Sequence, residues 1–142
     1  MRIAVTGAYG YAGRHIAARL AADGHEVVAL TNHAPTDATL RTHALVPDAD
    51  RMTAALAGCD ALVNTYWVRF AMPGTDHPAA VRLSLELFTA ARRAGVGRIV
   101  HTSITHADDA DDLPYFQGKR LVEAGLRATG IAHSILRPAV FF

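Results

Sequence analysis

One stretch decides the fold of this chain: Thr6-Gly7-Ala8-Tyr9-Gly10-Tyr11-Ala12-Gly13. It joins a short apolar run, Arg2–Thr6, to a segment with helical periodicity, Arg14–Ala22. Glycines at this spacing allow a tight turn, a close approach of phosphates to the backbone, and close packing of the helix on the strand. The free N–H groups and partial positive charge of a helix N-terminus attract phosphates. The stretch therefore predicts a dinucleotide-binding loop, and a glycine-rich turn without a ligand is the weaker interpretation.

Strands and helices alternate along the rest of the chain. The predicted elements after the first helix are the strands Glu26–Thr31, His43–Val46, Asp60–Thr65, Gly97–Ser103 and His133–Leu136, the helices Arg51–Ala57, Pro78–Ala94 and Pro114–Thr129, and an acidic loop, Asp108–Asp112. This alternation implies parallel strands joined by right-handed crossovers, with helices on both faces. We predict an α/β fold: a Rossmann-type doubly wound parallel sheet of about six strands in the order 3-2-1-4-5-6.

The end of the second predicted strand bears on the choice of cofactor. An NAD site expects a carboxylate there to bind the ribose 2′-hydroxyl, but the strand ends in Thr31-Asn32-His33. Arg14 and His33 could instead meet the 2′-phosphate of NADP. A solvated position in the first helical turn is an equally good interpretation of Arg14. We therefore predict NADP or NAD as the cofactor, with NADP favoured.

Tyr115 and Lys119 lie four residues apart at the start of a predicted helix, so both face the same side. A nearby ammonium favours the phenolate, which lowers the pKa of a tyrosine and makes it a usable acid or base. Ser103, at the end of the fifth strand, could hydrogen-bond the reacting oxygen. Such a pair alone is more often a solvated helix pair. Its position after the fifth strand favours the catalytic interpretation.

These motifs resemble the short-chain dehydrogenase/reductase superfamily, in its extended or atypical branch. The pattern T-G-x-x-G-x-x-G is present at residues 6–13, and Tyr-x-x-x-Lys at Tyr115 and Lys119. The segments 64–70, 101–105 and 114–119 are similar to bacterial proteins named as NAD-dependent epimerase/dehydratase or complex-I-subunit-like NAD(P)H-binding proteins. The resemblance runs through essentially the whole chain.

The resemblance implies a role for each matching residue. Tyr115 would donate or accept the proton, Lys119 would hold the nicotinamide ribose and tune Tyr115, and Ser103 would orient the substrate. Arg137-Pro138 resembles the segment that passes the nicotinamide. The expected cofactor contacts are Gly7, Tyr9, Gly10, Tyr11, Gly13, Arg14, Asn32, His33, Asn64, Lys119 and Pro138.

Two departures from the family pattern affect the catalytic prediction. The second of two serines often found after the fifth strand is Ile104 here, so the substrate-orienting hydroxyl could belong to Ser103, to Thr105 or to neither. We expect one domain, residues 1–142, without the C-terminal substrate region that closes the site in extended members. Electrostatic catalysis is weak in a wet site.

Three functions are consistent with these features. The first is an NAD(P)-dependent oxidoreductase or epimerase/dehydratase acting on a small hydroxyl or carbonyl substrate. The second is a non-catalytic NAD(P)-binding redox sensor or assembly subunit. The third is a truncated, inactive fragment that pairs with another chain through a patch near Val140-Phe141-Phe142.

Three smaller features complete the prediction. Asn64 ends the fourth strand, and the aromatic residues after it, Tyr66, Trp67 and Phe70, would either line the nicotinamide end of the cleft or pack against a further region. The net charge is +1 and the sequence has no long run of like charges. These features give no reason to predict binding to nucleic acid or to a membrane surface. The only cysteine, Cys59, is expected to be a small buried residue in a cytoplasmic protein. No metal site is predicted, and a homo-oligomer is left open.

Overall fold

The computed structural model of the chain describes residues 1–34, 39–70, 72, 75–108 and 113–139. These residues form the strands β1 (Arg2–Thr6), β2 (Glu26–Leu30), β3 (Arg41–His43), β4 (Ala61–Asn64), β5 (Arg98–Thr102) and β6 (Ala132–Leu136), and the helices α1 (Tyr11–Ala22), α2 (Ala49–Ala55), α3 (His77–Arg93) and α4 (Pro114–Ala128). All neighbouring strands pair in parallel, in the order β3-β2-β1-β4-β5-β6. The predicted fold class and strand order are confirmed.

Three elements have predicted boundaries that are wrong by two or three residues, each for a local reason. Helix α1 begins at Tyr11 rather than Arg14, because the backbone of Gly10 already accepts the first helical hydrogen bond, from the Arg14 amide. Strand β3 covers Arg41–His43 rather than His43–Val46, because the side chain of Asn32 hydrogen-bonds both backbone groups of Leu45 and holds that residue in a loop. Helix α2 begins at Ala49 because the Asp48 carboxylate caps it.

The helices cover the two faces of the sheet unevenly. Helix α1 packs on one face, over a buried cluster that includes Val5, Ala17 and Ala29. Helices α2, α3 and α4 pack on the other, over a larger cluster centred on Phe88 and Leu62. Cys59 lies in this larger cluster, as predicted. Helices therefore lie on both faces, but one side carries most of the core.

The parallel pairing brings the carboxyl ends of the strands to one edge of the sheet. The segments that follow β1, β2, β4 and β5 begin there at Gly7, Thr31, Thr65 and Ser103. Clefts at this edge are where open α/β sheets bind ligands.

Parts of some predictions lie outside the described residues. The acidic loop is described only at Asp108, and the patch at Val140-Phe141-Phe142 is not described. Within the described ranges, no helix combines the length and the apolar character needed to cross a membrane.

Candidate functional site

A cleft of about 940 Å³ lies at the carboxyl edge of the sheet. Segments following all six strands contribute to its walls. The lining residues are Gly7, Gly10, Tyr11, Ala12, Gly13, Thr31, Asn32, His33, Leu45, Thr65, Tyr66, Trp67, Val68, Arg69, Phe70, Met72, Thr75, Thr102, Ser103, Ile104, Tyr115, Lys119, Pro138 and Ala139. The cleft thus joins the glycine stretch to the predicted catalytic residues in one continuous space.

The glycine stretch forms a compact turn that leads into α1. Gly7 adopts a φ of +61°, which favours glycine, and its carbonyl accepts a hydrogen bond of 2.7 Å from the Gly10 amide. A Cβ atom at Gly13 would lie 2.0 Å from the Gly7 carbonyl oxygen, so no larger residue fits there. The first residues of α1, from Tyr11 to Gly13, line the cleft. This arrangement fits the pyrophosphate of a dinucleotide, because it offers helical N–H groups next to glycines, which have no side chain.

Some predicted cofactor residues have other contacts in the structure. Of the predicted residues in the described part of the chain, Tyr9, Arg14 and Asn64 do not line the cleft. The Tyr9 hydroxyl lies 2.7 Å from the Thr42 hydroxyl and links the glycine turn to β3. Asn32 lines the cleft, but both ends of its amide bind Leu45. His33 is exposed and lines the cleft.

Arg14 is exposed on the first turn of α1, beside the cleft. Its guanidinium carbon lies 5.7 Å from the centre of the Tyr11 ring, and its Nε donates to His15 Nε2 at 3.3 Å. Tyr11 lines the cleft, so Arg14 contacts a residue of the cleft wall without being part of that wall.

Asn64 belongs to a buried polar chain beneath the cleft. The Thr6 hydroxyl donates to Asn64 Oδ1 at 2.8 Å and accepts from the Thr65 amide at 2.8 Å. The Asn64 amide nitrogen donates to His101 Nδ1 at 3.1 Å. Burial lowers the pKa of His101 to about 4, so its ring is neutral at physiological pH. These side chains fix the ends of β1, β4 and β5 relative to one another.

Lys119 is buried between two groups that hold its ammonium. The side chain is 3% exposed; Nζ donates to the Thr102 carbonyl at 3.3 Å and lies 4.3 Å from the centre of the Trp67 ring. Burial lowers the pKa of Lys119 to about 8, with the Glu123 carboxylate acting in the opposite direction.

Tyr115 stands in an aromatic cluster at the same end of the cleft. Its ring meets Trp67 and His77 edge-on, with centroids 5.6 and 5.5 Å away, and Trp67 and His77 stack on each other. Burial raises the pKa of Tyr115, and the Arg69 guanidinium acts to lower it. Sequence reasoning assigned that lowering to Lys119, whereas the cation that acts on Tyr115 in the structure is Arg69.

Trp67 contacts two of the predicted catalytic residues, Tyr115 and Lys119, and Gly118 makes room for it. A Cβ atom at Gly118 would lie 2.8 Å from Trp67 Cη2. The aromatic residues after β4 all line the cleft: Tyr66, Trp67 and Phe70. This favours the prediction that they line the nicotinamide end of the cleft over the alternative that they pack against a further region. Trp67 in addition packs against α4 through Tyr115, Gly118 and Lys119.

Ser103 is the better placed of the two candidate hydroxyls. It lines the cleft and is almost fully buried, whereas Thr105 is not among the lining residues that the structure describes. The Ser103 hydroxyl makes no hydrogen bond of standard geometry in the described ranges, although it lies close enough to the Glu123 carboxylate to lower the pKa of that group. A buried hydroxyl in this state can donate to a ligand in the cleft.

Sequence reasoning missed Glu123, which lies behind Ser103 and is 1% exposed. Its carboxylate accepts from Arg137 Nη2 at 2.6 Å, from Arg137 Nε at 2.9 Å and from Arg127 Nη2 at 2.9 Å. Burial alone would raise the pKa of Glu123, but Arg137, Ser103 and Arg127 hold it at about 2. Arg137 also binds Asp108, so this network ties β6, α4 and the loop after β5 together.

Residues 7–142 match the family described as NAD(P)H-binding. The chain belongs to the NAD(P)H-binding family. The matched range includes the glycine loop and all residues that line the cleft, among them Ser103, Tyr115 and Lys119. The whole candidate site therefore lies within the part of the chain that matches the family. The predicted resemblance to NAD(P)-binding proteins is confirmed.

The chain is also similar to several known proteins. An uncharacterised protein of Mycobacterium tuberculosis is 36% identical over 109 residues, which are 75% of this chain and 12% of that protein. Triphenylmethane reductase of Citrobacter sp., solved with NADP(H), is 23% identical with a TM-score of 0.81, over 99% of this chain and 50% of the reductase. WbmH of Bordetella bronchiseptica, solved with NAD+, is 20% identical with a TM-score of 0.84, over 97% of this chain and 55% of that enzyme.

The chain therefore spans about half the length of these solved structures. The structural neighbours of this NAD(P)H-binding chain hold both forms of the cofactor. Their likeness shows the shared fold, whereas the assignment of this chain to NAD(P)H binding rests on the family match.

Proposed function

We propose that this chain forms the cofactor-binding and catalytic cleft of an NAD(P)-dependent oxidoreductase or epimerase/dehydratase that acts on a small hydroxyl or carbonyl substrate. One observation carries the proposal: Ser103, Tyr115 and Lys119 line the same cleft as the glycine loop. Ser103 follows β5, Tyr115 and Lys119 lie on α4, and the glycine loop leads into α1. A Tyr–Lys pair exposed on the surface of a helix would not need to meet the other two segments in one cleft. Substrate and reaction type are part of the proposal and go beyond the family assignment.

The residues of the cleft suit a dinucleotide along its length. The N-terminus of α1 would hold the pyrophosphate, and the buried chain from Thr6 to His101 keeps the floor of the cleft rigid. Lys119 and Pro138 would lie at the nicotinamide end. When bound, the nicotinamide would accept a hydride from the substrate or supply one to it.

The protein residues would orient the substrate and move its proton. The Ser103 hydroxyl, which has no partner of standard geometry in the described residues, would hydrogen-bond the substrate oxygen. The Tyr115 hydroxyl would give a proton to that oxygen or take one from it. The ammonium of Lys119, next to the Thr102 carbonyl, would stabilise negative charge on Tyr115.

NADP is the proposed form of the cofactor. The segment after β2, Thr31-Asn32-His33, carries no carboxylate for a ribose 2′-hydroxyl, and the Asn32 amide is used by Leu45. Arg14 and His33 are exposed near this end of the cleft and could bind a 2′-phosphate. A reducing, cytoplasmic location belongs to the same proposal, because a single buried cysteine requires no oxidising compartment.

Titration with NADH and NADPH, followed by nicotinamide fluorescence, tests binding and the choice of cofactor. We expect NADPH to bind more tightly, and Arg14→Gln to reduce that preference by roughly ten-fold, since it removes a charge-assisted contact to phosphate. Arg19→Gln is the matched control, because Arg19 lies on the same helix and pairs with Asp23 at its far end. Equal affinity of the wild-type protein for both cofactors would refute the role given to Arg14.

Replacing Tyr115 by Phe tests the catalytic role. We expect turnover on a panel of carbonyl substrates to fall by roughly 10²- to 10⁴-fold, because the acid–base group is lost, while the dissociation constant for the cofactor stays the same. Unchanged turnover would show that Tyr115 is not the acid or base. Cofactor binding without turnover by the wild-type protein on the whole panel would instead identify a non-catalytic NAD(P)-binding module.

A further inference from the structure

Arg69 brings a positive charge into the cleft, and none of the described residues neutralises it. It is exposed, lines the cleft, and places its guanidinium carbon 5.2 Å from the centre of the Phe70 ring. No carboxylate in the described ranges pairs with it, and the residues lining the cleft include no Asp or Glu. Other arginines of the chain, such as Arg93 and Arg137, have carboxylate partners.

Arg69 lies at the end of the cleft where the proton would move. It is the group whose positive charge acts on the Tyr115 hydroxyl, and it follows Trp67, whose ring touches Tyr115. The other cation at this end, Lys119, is almost completely buried and is held by the Thr102 carbonyl and the Trp67 ring. Arg69 is therefore the cation at this end whose donors remain accessible to a ligand.

We propose that Arg69 binds an oxyanion, a carboxylate or a phosphate, on the substrate, and so determines the substrate class. A guanidinium offers paired N–H donors whose spacing matches the oxygens of such groups. The rings of Trp67 and Phe70 form an apolar wall beside it, which suits the carbon skeleton of the substrate. This inference rests on the proposed function and adds to it that the hydroxyl or carbonyl substrate is an anion.

Binding of small probes in the presence of saturating NADP+ tests this role. The probes are benzoate, phenyl phosphate and the uncharged analogue benzamide, and the readout is the fluorescence of Trp67, the only tryptophan of the chain. We expect benzoate or phenyl phosphate to bind at least about ten-fold more tightly than benzamide, and Arg69→Gln to abolish that difference. Comparison of the two anions tells a carboxylate substrate from a phosphate substrate.

Arg92→Gln is the matched control. Arg92 is exposed in the last turn of α3, a 17-residue helix that begins near the cleft, so it lies roughly 25 Å away along the helix. This variant should keep the preference for the anionic probes, although it loses the same charge.

Three results would overturn the inference, and each leaves the proposed function to be judged separately. The anionic probes could bind no better than benzamide, or their preference could survive in Arg69→Gln. In the third case, Arg69→Gln weakens NADP+ binding itself, and Arg69 then serves the cofactor. Failure of the proposed function would look different, because the wild-type protein would not bind NADP+ or NADPH at all.

Discussion

The ammonium of Lys119 is the charge in the cleft that depends most on its surroundings. Burial brings its pKa from 10.5 to about 8, so the charged form is present below about pH 8 and disappears above it. If the ammonium supports Tyr115, kcat/KM should fall as the pH rises through about 8. Measurement of kcat/KM between pH 6 and 10 checks this, since that ratio reports the pKa values of the free enzyme.

Lys119→Arg provides the control for this pH dependence. A guanidinium stays charged throughout the range, so the decrease near pH 8 should vanish even if the absolute rate is lower. A decrease that persists in Lys119→Arg would mean that another group titrates there. Tyr115 would be the first to consider, although burial raises its pKa.

Site residues that are close together in the sequence could be predicted from their spacing. Contacts between residues that are far apart in the sequence could not. Tyr115 and Lys119 could be paired from their four-residue spacing, and Ser103 from its place at a strand end. The contact between Trp67 and Gly118 joins positions far apart in the chain, and no spacing rule connects them. The approach of the Ser103 hydroxyl to the buried Glu123 carboxylate likewise depends on packing that a sequence does not show.

The turn between β1 and α1 depends on the absence of a side chain at Gly13. An added methyl group would collide with the Gly7 carbonyl, as the 2.0 Å approach shows, so the helix would have to move away from the strand. We expect Gly13→Ala to lower the free energy of unfolding by about 1–3 kcal/mol and to weaken NADPH binding strongly. Urea denaturation and NADPH titration measure the two effects.

Gly97→Ala serves as the comparison for that variant. The closest atom to a Cβ at Gly97 is the Asp60 carbonyl oxygen at 3.5 Å, an ordinary contact distance. We expect its cofactor affinity to equal that of the wild-type protein. If Gly13→Ala also bound NADPH normally, the tight turn would not be needed for the dinucleotide.

The elements themselves were largely predictable because most of them are long periodic or apolar segments. The central strands β1, β2 and β4 read as apolar runs since both of their faces are covered. Strand β3 was misplaced because only three residues form it and the Asn32 side chain, rather than strand pairing, holds Leu45. Side-chain hydrogen bonds of this kind leave no periodic signal.

Across the whole molecule, the buried carboxylate of Glu123 connects parts of the fold that meet at the cleft. Its pKa of about 2, against 4.5 for an unperturbed Glu, means that it stabilises the folded state above about pH 4.5 and loses this effect as the pH falls towards 2. Arg137→Met removes one of the two arginines that pair with the buried Glu123 carboxylate and leaves Arg127. We therefore expect the free energy of unfolding to fall by about 3 kcal/mol at pH 7.

Urea denaturation of Arg137→Met at several pH values tests this expectation. The difference from the wild-type protein should be largest at neutral pH and shrink below about pH 4.5. Arg93→Met is the matched control, because its ion pair with Asp50 is exposed, with side chains 50% and 84% accessible, and should contribute less than about 1 kcal/mol. Equal losses in both variants would argue against a special role of the buried carboxylate.

The hydrogen bond from Thr6 to Asn64 closes a loop of 58 residues between two strands that lie side by side. Ribosomes add about 5–20 residues per second, so β4 is synthesised about 3–12 seconds after β1. During that interval one edge of β1 has no strand to pair with. We expect the nascent chain to bind chaperones or to self-associate most readily before residue 64 leaves the ribosome exit tunnel.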